Sequence, residues 1–284
     1  MTRHIQHLEA IAADYDGFIV DLWGVIHDGS EPYPGAVDCL HALRRAAKRV
    51  VLLSNAPRRT LPVRETLRRI GIPDDGYDGI LTSGEATRLA LIDPPDDWFR
   101  ALGRLVWHLG PDKDANLFEG VPLQRVAAPE EADFVLNTGP DDSLGETDPS
   151  PYLPALRRCH ALGLPMLCAN PDLEVVRNGV RIICAGRLAA LYLEMGGAVR
   201  QIGKPDPAIY VPVQAMLAVP RARILAVGDS LATDIAGARA AGIDSLWVLG
   251  GIHGAALAAD AGLLERELAT TGLAPVATIP GFVW

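Results

Sequence analysis

The chain has 284 residues, 49% of them hydrophobic, enough for one large domain or two modest ones around a continuous core, which excludes a disordered chain. Its 35 acidic residues outweigh 26 basic ones for a formal charge of -9, and no basic block stands out to track a phosphate backbone, so nucleic acid is not an expected partner. The opening "MTRHIQHLEAIAADYDG" has no signal-peptide core and no later stretch reaches membrane-spanning length, so a cytoplasmic protein without a membrane partner is expected.

The first predicted strand, "FIV" at 18, delivers the chain to Asp21 and the glycine-containing loop "DLWGVIHDG". A second, "VVLL" at 50, ends in Ser54-Asn55 and a loop carrying Arg58 and Arg59. A helix follows, with Thr60 as N-cap, Leu61, Leu67 and Ile70 near helical spacing, and Gly71 then Pro73 as the stop. Further β-rich runs lie at "GILTS" (79), "RLVWHL" (104), "DFVLN" (133), "PMLCAN" (165), "ILAV" (224) and "SLWVLG" (245). Between "LEVVR" and "VRIICA" the pair Asn178-Gly179 signals a two-residue hairpin turn. Unbroken apolar strands alternating with helical patterns predict an α/β fold, a Rossmann-like doubly wound parallel sheet. The stretch from about Gly84 to about Gly197 has its own strand and helix signals, so residues 1–84 and 198–284 are expected to form a core and residues 85–197 an inserted α/β domain. Cys39, Cys159, Cys168 and Cys184 lack C-x-x-C spacing and are expected to be free, buried thiols.

Chemistry-bearing residues follow several of these strands: Asp21, Ser54-Asn55, and Asp229-Ser230. In open parallel sheets the ligand crevice lies beyond the carboxyl ends of the strands, so these endings can build one pocket. Asp229 and Asp234 are a helical turn apart in "AVGDSLATDIAGARAAG", and with Asp21 they make three hard oxygen ligands of the kind magnesium takes alongside water and substrate phosphate. Asp229 and Ser230 also suit helix capping, and Asp234 the first helical turn. Ser54 and nearby backbone N–H groups can bind phosphoryl oxygens, with Arg58 or Arg59 adding charge. Lys204, between a glycine and a proline in "QIGKPDPAIY", can neutralise a carboxylate and a phosphate.

In this order, "FIVDLWG", "LLSNAP", "GKPDP" and "VGDSLATDI" resemble the four motifs of the haloacid dehalogenase superfamily, while "LLSNAPRR", "TSGEAT" and "GKPDPAIY" are similar to its class IIA branch, the NagD-like and pyridoxal phosphatase group. The resemblance implies a Rossmann-like core with an α/β cap inserted between the second and third motifs. It also implies a magnesium-dependent phosphatase in which Asp21 is the nucleophile, Ser54 binds the phosphoryl group and Lys204 stabilises it. Asp229 and Asp234, with Asp21 and the main-chain carbonyl of Trp23, would hold the metal. A small phosphorylated metabolite is the implied substrate, and a homodimer through the cap the implied assembly.

One position departs from the pattern. Phosphatases of the superfamily place a second aspartate two residues beyond the nucleophile, to protonate the leaving group and then activate water; here that residue is Trp23, whose indole cannot transfer that proton. A slower or leaving-group-dependent phosphatase is one consequence, with His27, Asp28 or a cap residue as substitute acid. A dehalogenase is a second, since Asp-x-aromatic-Gly resembles those enzymes, although the retained Asp229 and Asp234 are not needed by a metal-free displacement. A phosphate-ligand-binding or regulatory protein of reduced catalysis is a third. The stretch "CANPDLEVVRNGVRIICAGR" is similar to the cap segment that shapes specificity in class IIA enzymes, which implies Asn170, Asp172, Arg177 and Arg181 as polar candidates, with Asn55 beside Ser54 as a further expected substrate contact.

Overall fold

The computed structural model describes all residues except Met1, Asp142, Asn178, His253 and Ala261. In chain order its strands are β1 (Arg3–His4), β2 (Gly17–Val20), β3 (Arg49–Ser54), β4 (Gly79–Thr82), β5 (Leu105–Leu109), β6 (Gln124–Val126) and β7 (Phe134–Asn137). There follow β8 (Met166–Cys168), β9 (Glu174–Arg177), β10 (Val180–Ile183), β11 (Val199–Gln201), β12 (Ile224–Gly228), β13 (Asp244–Val248) and β14 (Ala277–Ile279). A seven-stranded sheet has the order β1-β14-β13-β12-β2-β3-β4, and its pairs are parallel. A second, five-stranded parallel sheet runs β11-β8-β7-β5-β6.

Alternation along the central strands explains why the first sheet is covered on both faces. Phe18, Val20, Val50 and Leu52 point into a core shared with the helix Ala36–Arg45, whereas Ile19, Val51 and Leu53 point into one shared with the helix Tyr210–Leu217. The second sheet repeats the scheme, with Val135 and Met166 in one cluster and Phe134, Leu136 and Leu167 in another. Because β11 pairs with β8, this second sheet extends past residue 197, where the inserted segment was expected to end. β9 and β10 form an antiparallel hairpin with Arg177 opposite Val180; Gly179 has φ +76, while Asn178, the other expected turn residue, lies outside the described residues.

The chain winds from β2 outward through β3 and β4, then returns to place β12 against the other side of β2. That reversal puts the topological switch point between β2 and β12, where an open α/β sheet forms its crevice. Two local expectations are corrected. Thr60 is the first helical residue of Thr60–Arg69 rather than its N-cap, because the orphan N–H of Thr60 is taken by the Glu85 carboxylate at 3.2 Å. Leu61 faces solvent at 59% exposure; Val63 and Leu67 are the residues this helix buries. The four cysteines are free and buried.

Candidate functional site

The crevice gathers what the strand ends deliver. Asp21 follows β2 with its N–H bonded to the Val227 carbonyl at 2.9 Å, Ser54 closes β3, and Asp229 follows β12. Carboxylate oxygens of Asp21, Asp229 and Asp234 lie within 4.8 Å of one another. Lys204 is buried among them: its ammonium donates to Asp21 Oδ1 at 2.6 Å, to Asp234 Oδ1 at 2.7 Å and to the Leu53 carbonyl at 3.2 Å. One ammonium faces three carboxylates, so the cluster, if fully ionised, would carry excess negative charge among buried side chains. Burial first, and then the other acids, push the Asp229 carboxyl well above its ordinary range; burial likewise raises Asp21, against the pull of Lys204. Clustered hard oxygen donors with unbalanced negative charge suit a divalent cation such as magnesium.

The backbone around these acids leaves no room for side chains. A Cβ at Gly24 would fall 1.9 Å from Asp229 Oδ2, one at Gly251 2.0 Å from the same atom, and one at Gly228 2.1 Å from Asp234 Cγ. The chain at Trp23-Gly24 thus runs directly against Asp229. Asp229 does not cap the following helix: its Oδ2 accepts the Ile252 N–H at 2.6 Å, and Ser230 supplies the cap to the Thr233 N–H. Asp234 turns back to accept the Ser230 N–H at 3.1 Å.

Two cavities open on this cluster. One, of about 300 Å³, is lined by Asp21, Trp23, Ser54, Arg58, Asn170 and Arg177 among others. The other, of about 480 Å³, lies on the side of Asp229 and Asp234 and is also bordered by Asp21, Trp23 and Lys204. The Trp23 benzo ring is seated over Gly29 and meets His27 edge-on, with ring centroids 5.2 Å apart.

The expected substrate contacts fare differently. Asn55 lines the first cavity, but its side chain is engaged by the protein: Nδ2 donates to Asp172 Oδ1 at 2.8 Å and to the Lys204 carbonyl at 3.0 Å, while Oδ1 accepts from the Lys204 N–H at 2.8 Å and the Ser83 hydroxyl at 3.2 Å. It is a clamp between the strand end and Lys204. Asn170 is buried and its Oδ1 accepts the Asp172 N–H; Arg177 pairs with Glu146 at 3.0 Å. Arg181 pairs with Glu174, and neither cavity includes it. His27 is buried with Nδ1 accepting the Gly29 N–H, and burial pushes it down to about 4. Asp28 lies outside both cavities and accepts the Ser30 and Glu31 N–H groups, which lower it.

Sequence reasoning missed Asp114, which is buried, faces the first cavity and pairs with Arg58 at 3.4 Å. Nothing in "GPDKDAN" distinguishes it from a solvated charged turn. Arg59 reaches Glu119 at 2.8 Å, so the loop after Ser54 is tied to the segment after β5 by two ion pairs.

The site is thus an acidic cluster with a buried lysine at the switch point of a doubly wound parallel sheet, where open α/β sheets bind their ligands. A family model described as haloacid dehalogenase-like hydrolase matches residues 18–124, and a HAD-hydrolase-like model matches residues 201–270. The D-glycerol 3-phosphate phosphatase of Mycobacterium tuberculosis is 30% identical over 249 residues, which span 87% of this chain and 67% of that protein. A haloacid dehalogenase-like hydrolase from Brucella suis 1330 superposes with a TM-score of 0.84 at 30% identity, covering 98% of this chain and all of that one. A glycerol phosphate phosphatase from Mycobacterium tuberculosis in complex with magnesium superposes with a TM-score of 0.66 at 29% identity, over 85% of this chain and 70% of that one. The chain belongs to the haloacid dehalogenase-like hydrolases, within their class IIA phosphatase branch.

Proposed function

We propose that the protein hydrolyses a small phosphomonoester in a magnesium-dependent reaction through an aspartyl-phosphate on Asp21. The observation that carries this reading is the convergence of Asp21, Asp229 and Asp234, with Lys204 between them, at the switch point of the sheet. Asp21, Asp229, Asp234 and the Trp23 carbonyl would hold the magnesium, which when bound supplies positive charge that orients the phosphate and offsets the acids. The chemistry is otherwise done by the chain. Asp21 attacks phosphorus, the ester oxygen departs, and water later attacks phosphorus and frees Asp21, splitting one difficult transfer into two steps. Lys204 favours the ionised form of Asp21 that attack requires. The Ser54 hydroxyl and the N–H groups of its loop hold phosphoryl oxygens, where backbone donors cost no reorganisation.

The inserted segment, from about residue 85 through β11, acts as the cap, and the cavity of about 300 Å³ against Arg58 and Arg177 receives the leaving group, which sets the substrate as a small phosphorylated metabolite. Trp23 withdraws the proton donor expected at its position, and general acid–base assistance is typically worth ~10² to 10⁴ in rate, so turnover depends on leaving-group quality unless another residue of the site supplies that proton. The test is phosphate release from an aryl phosphate and a panel of small metabolite phosphates, with and without magnesium, by the native protein and by Asp21→Asn. Magnesium-dependent release abolished by the substitution is expected. Release that survives Asp21→Asn, or that ignores magnesium, refutes the mechanism, and halide release from a 2-haloacid would turn it to the dehalogenase class.

A further inference from the structure

Trp23 leaves the site without the motif carboxylate that would shuttle a proton, but a different carboxylate enters from the segment that joins β8 to the β9–β10 hairpin. Asp172, just before β9, borders both cavities, as do Asp21 and Trp23. Its backbone is held at both ends: the N–H donates to Asn170 Oδ1 at 3.0 Å, and the carbonyl accepts the Gly186 N–H at 3.1 Å. Gly186 is packed so closely that a Cβ there would fall 2.5 Å from that carbonyl oxygen. The carboxylate is held as well. Oδ1 accepts from Asn55 Nδ2 at 2.8 Å, and Asn55 is itself clamped to the backbone of Lys204, the residue paired with Asp21. Asp172 is therefore fixed in the frame of the nucleophile despite coming from the connection between β8 and β9.

From this geometry we propose that Asp172 is the acid–base residue of the site, supplying from the cap the proton transfer that Trp23 cannot. The inference rests on the phosphatase reading above. In the first step an Asp21 oxygen bonds to phosphorus, the P–O ester bond breaks with its electron pair on the leaving oxygen, and that oxygen takes the proton of the Asp172 carboxyl. In the second, water bonds to phosphorus while its proton passes to the Asp172 carboxylate, and the Asp21–phosphorus bond breaks with its electrons returning to Asp21. Burial raises the Asp172 carboxyl above its ordinary range, the direction an acid requires. The other groups near Trp23 are less suited. Asp28 lies outside both cavities, His27 borders one and is held neutral by burial, and Asp114 is directed to Arg58.

The decisive comparison is Asp172→Asn with Asp172→Ala, each assayed on an aryl and an alkyl phosphate with magnesium present. Asparagine keeps an oxygen to accept from Asn55 and loses the transferable proton; alanine loses both. For Asp172→Asn, kcat/KM for the alkyl ester should fall by about 10² to 10⁴. The aryl ester, whose leaving group needs no proton, should keep its kcat/KM within about tenfold while kcat drops, with a stoichiometric burst of aryloxide because water attack is slowed. Retained aryl kcat/KM also reports an intact fold. Asp172→Asn behaving like the native protein on both esters, with only Asp172→Ala impaired, would leave Asp172 a purely structural latch and overturn the proposal. A native protein that cleaves aryl esters alone overturns it too. A native protein that releases nothing from either ester removes the phosphatase reading and this inference together.

Discussion

Replacing Lys204 by methionine is the sharpest test of the site's electrostatics. Lys204 is 3% exposed, and its ammonium lies 2.6 Å from Asp21 Oδ1 and 2.7 Å from Asp234 Oδ1. Coulomb's law at an effective dielectric constant of about 20 assigns each pair roughly 6 kcal/mol of gross attraction. Desolvating the ammonium offsets several kcal/mol of that, but methionine leaves the carboxylates in place without their cation. Removing one member of a buried pair characteristically costs about 3–5 kcal/mol, and that is the loss expected here. The methionine stem keeps the packing of the lysine chain, so little of the loss arises from a void. Urea unfolding of both proteins without metal, followed by tryptophan fluorescence, measures it.

The pH dependence adds a second check. Asp21 already has its folded pKa raised above the unfolded value by burial, so folding favours its protonated form. Losing Lys204 raises it further, and the two proteins then differ most where native Asp21 is ionised and least where it is protonated in both. The deficit should therefore widen as pH increases from about 5.5 to about 8.5. A loss below about 1 kcal/mol, or one that narrows with rising pH, would refute the claim that the acids depend on this lysine.

A buried acid outside the cluster gives an independent pH signature. Burial pushes Asp114 from 3.8 up to about 6 against the pull of Arg58, so its favourable contribution is complete below the unfolded value, is lost as pH rises toward the folded one, and is flat above. Asp114→Asn should flatten that stretch of the stability curve and gain up to roughly 3 kcal/mol at neutral pH, a figure that already includes the pull of Arg58; parallel curves from pH 4 to 8 would contradict it. Gly29 and Gly71 form a matched pair, with φ +97 and +91. Alanine at Gly71 meets nothing within 4 Å and should cost only the backbone strain, about 1 kcal/mol. At Gly29 its Cβ would lie 2.1 Å from Trp23 Cη2, so it should cost more and shift tryptophan emission; equal costs would mean that the indole is not seated there.

How much was legible in sequence follows from the range of the interactions involved. Strands buried on both faces must be unbroken apolar runs, so β2, β3 and β12 announce themselves, and the polar residue that ends each run lands in the crevice as a consequence of parallel topology. Asp21, Ser54, Asp229 and Asp234 could therefore be named before any coordinates. The short strands β1, β6 and β14 carry too few residues to establish a period, and they exist because a neighbouring strand offers them hydrogen-bond partners. Thr60 looked like a cap because capping is usually local, yet its N–H is satisfied by Glu85, 25 positions away.

The contrast is greatest at the site's margins. That Trp23 stands where a carboxylate belongs is a property of the sequence, because it lies at a set offset from Asp21 along one short loop. Which group stands near enough to answer for it was decided by tertiary structure alone. Asn55 and Asp172 meet across 117 positions, and Asp114, from the segment after β5, reaches Arg58, from the loop after β3, at the wall of one cavity. Local spacing can encode a loop's chemistry; a contact between distant segments depends on how both pack, and no pattern within either segment contains that information.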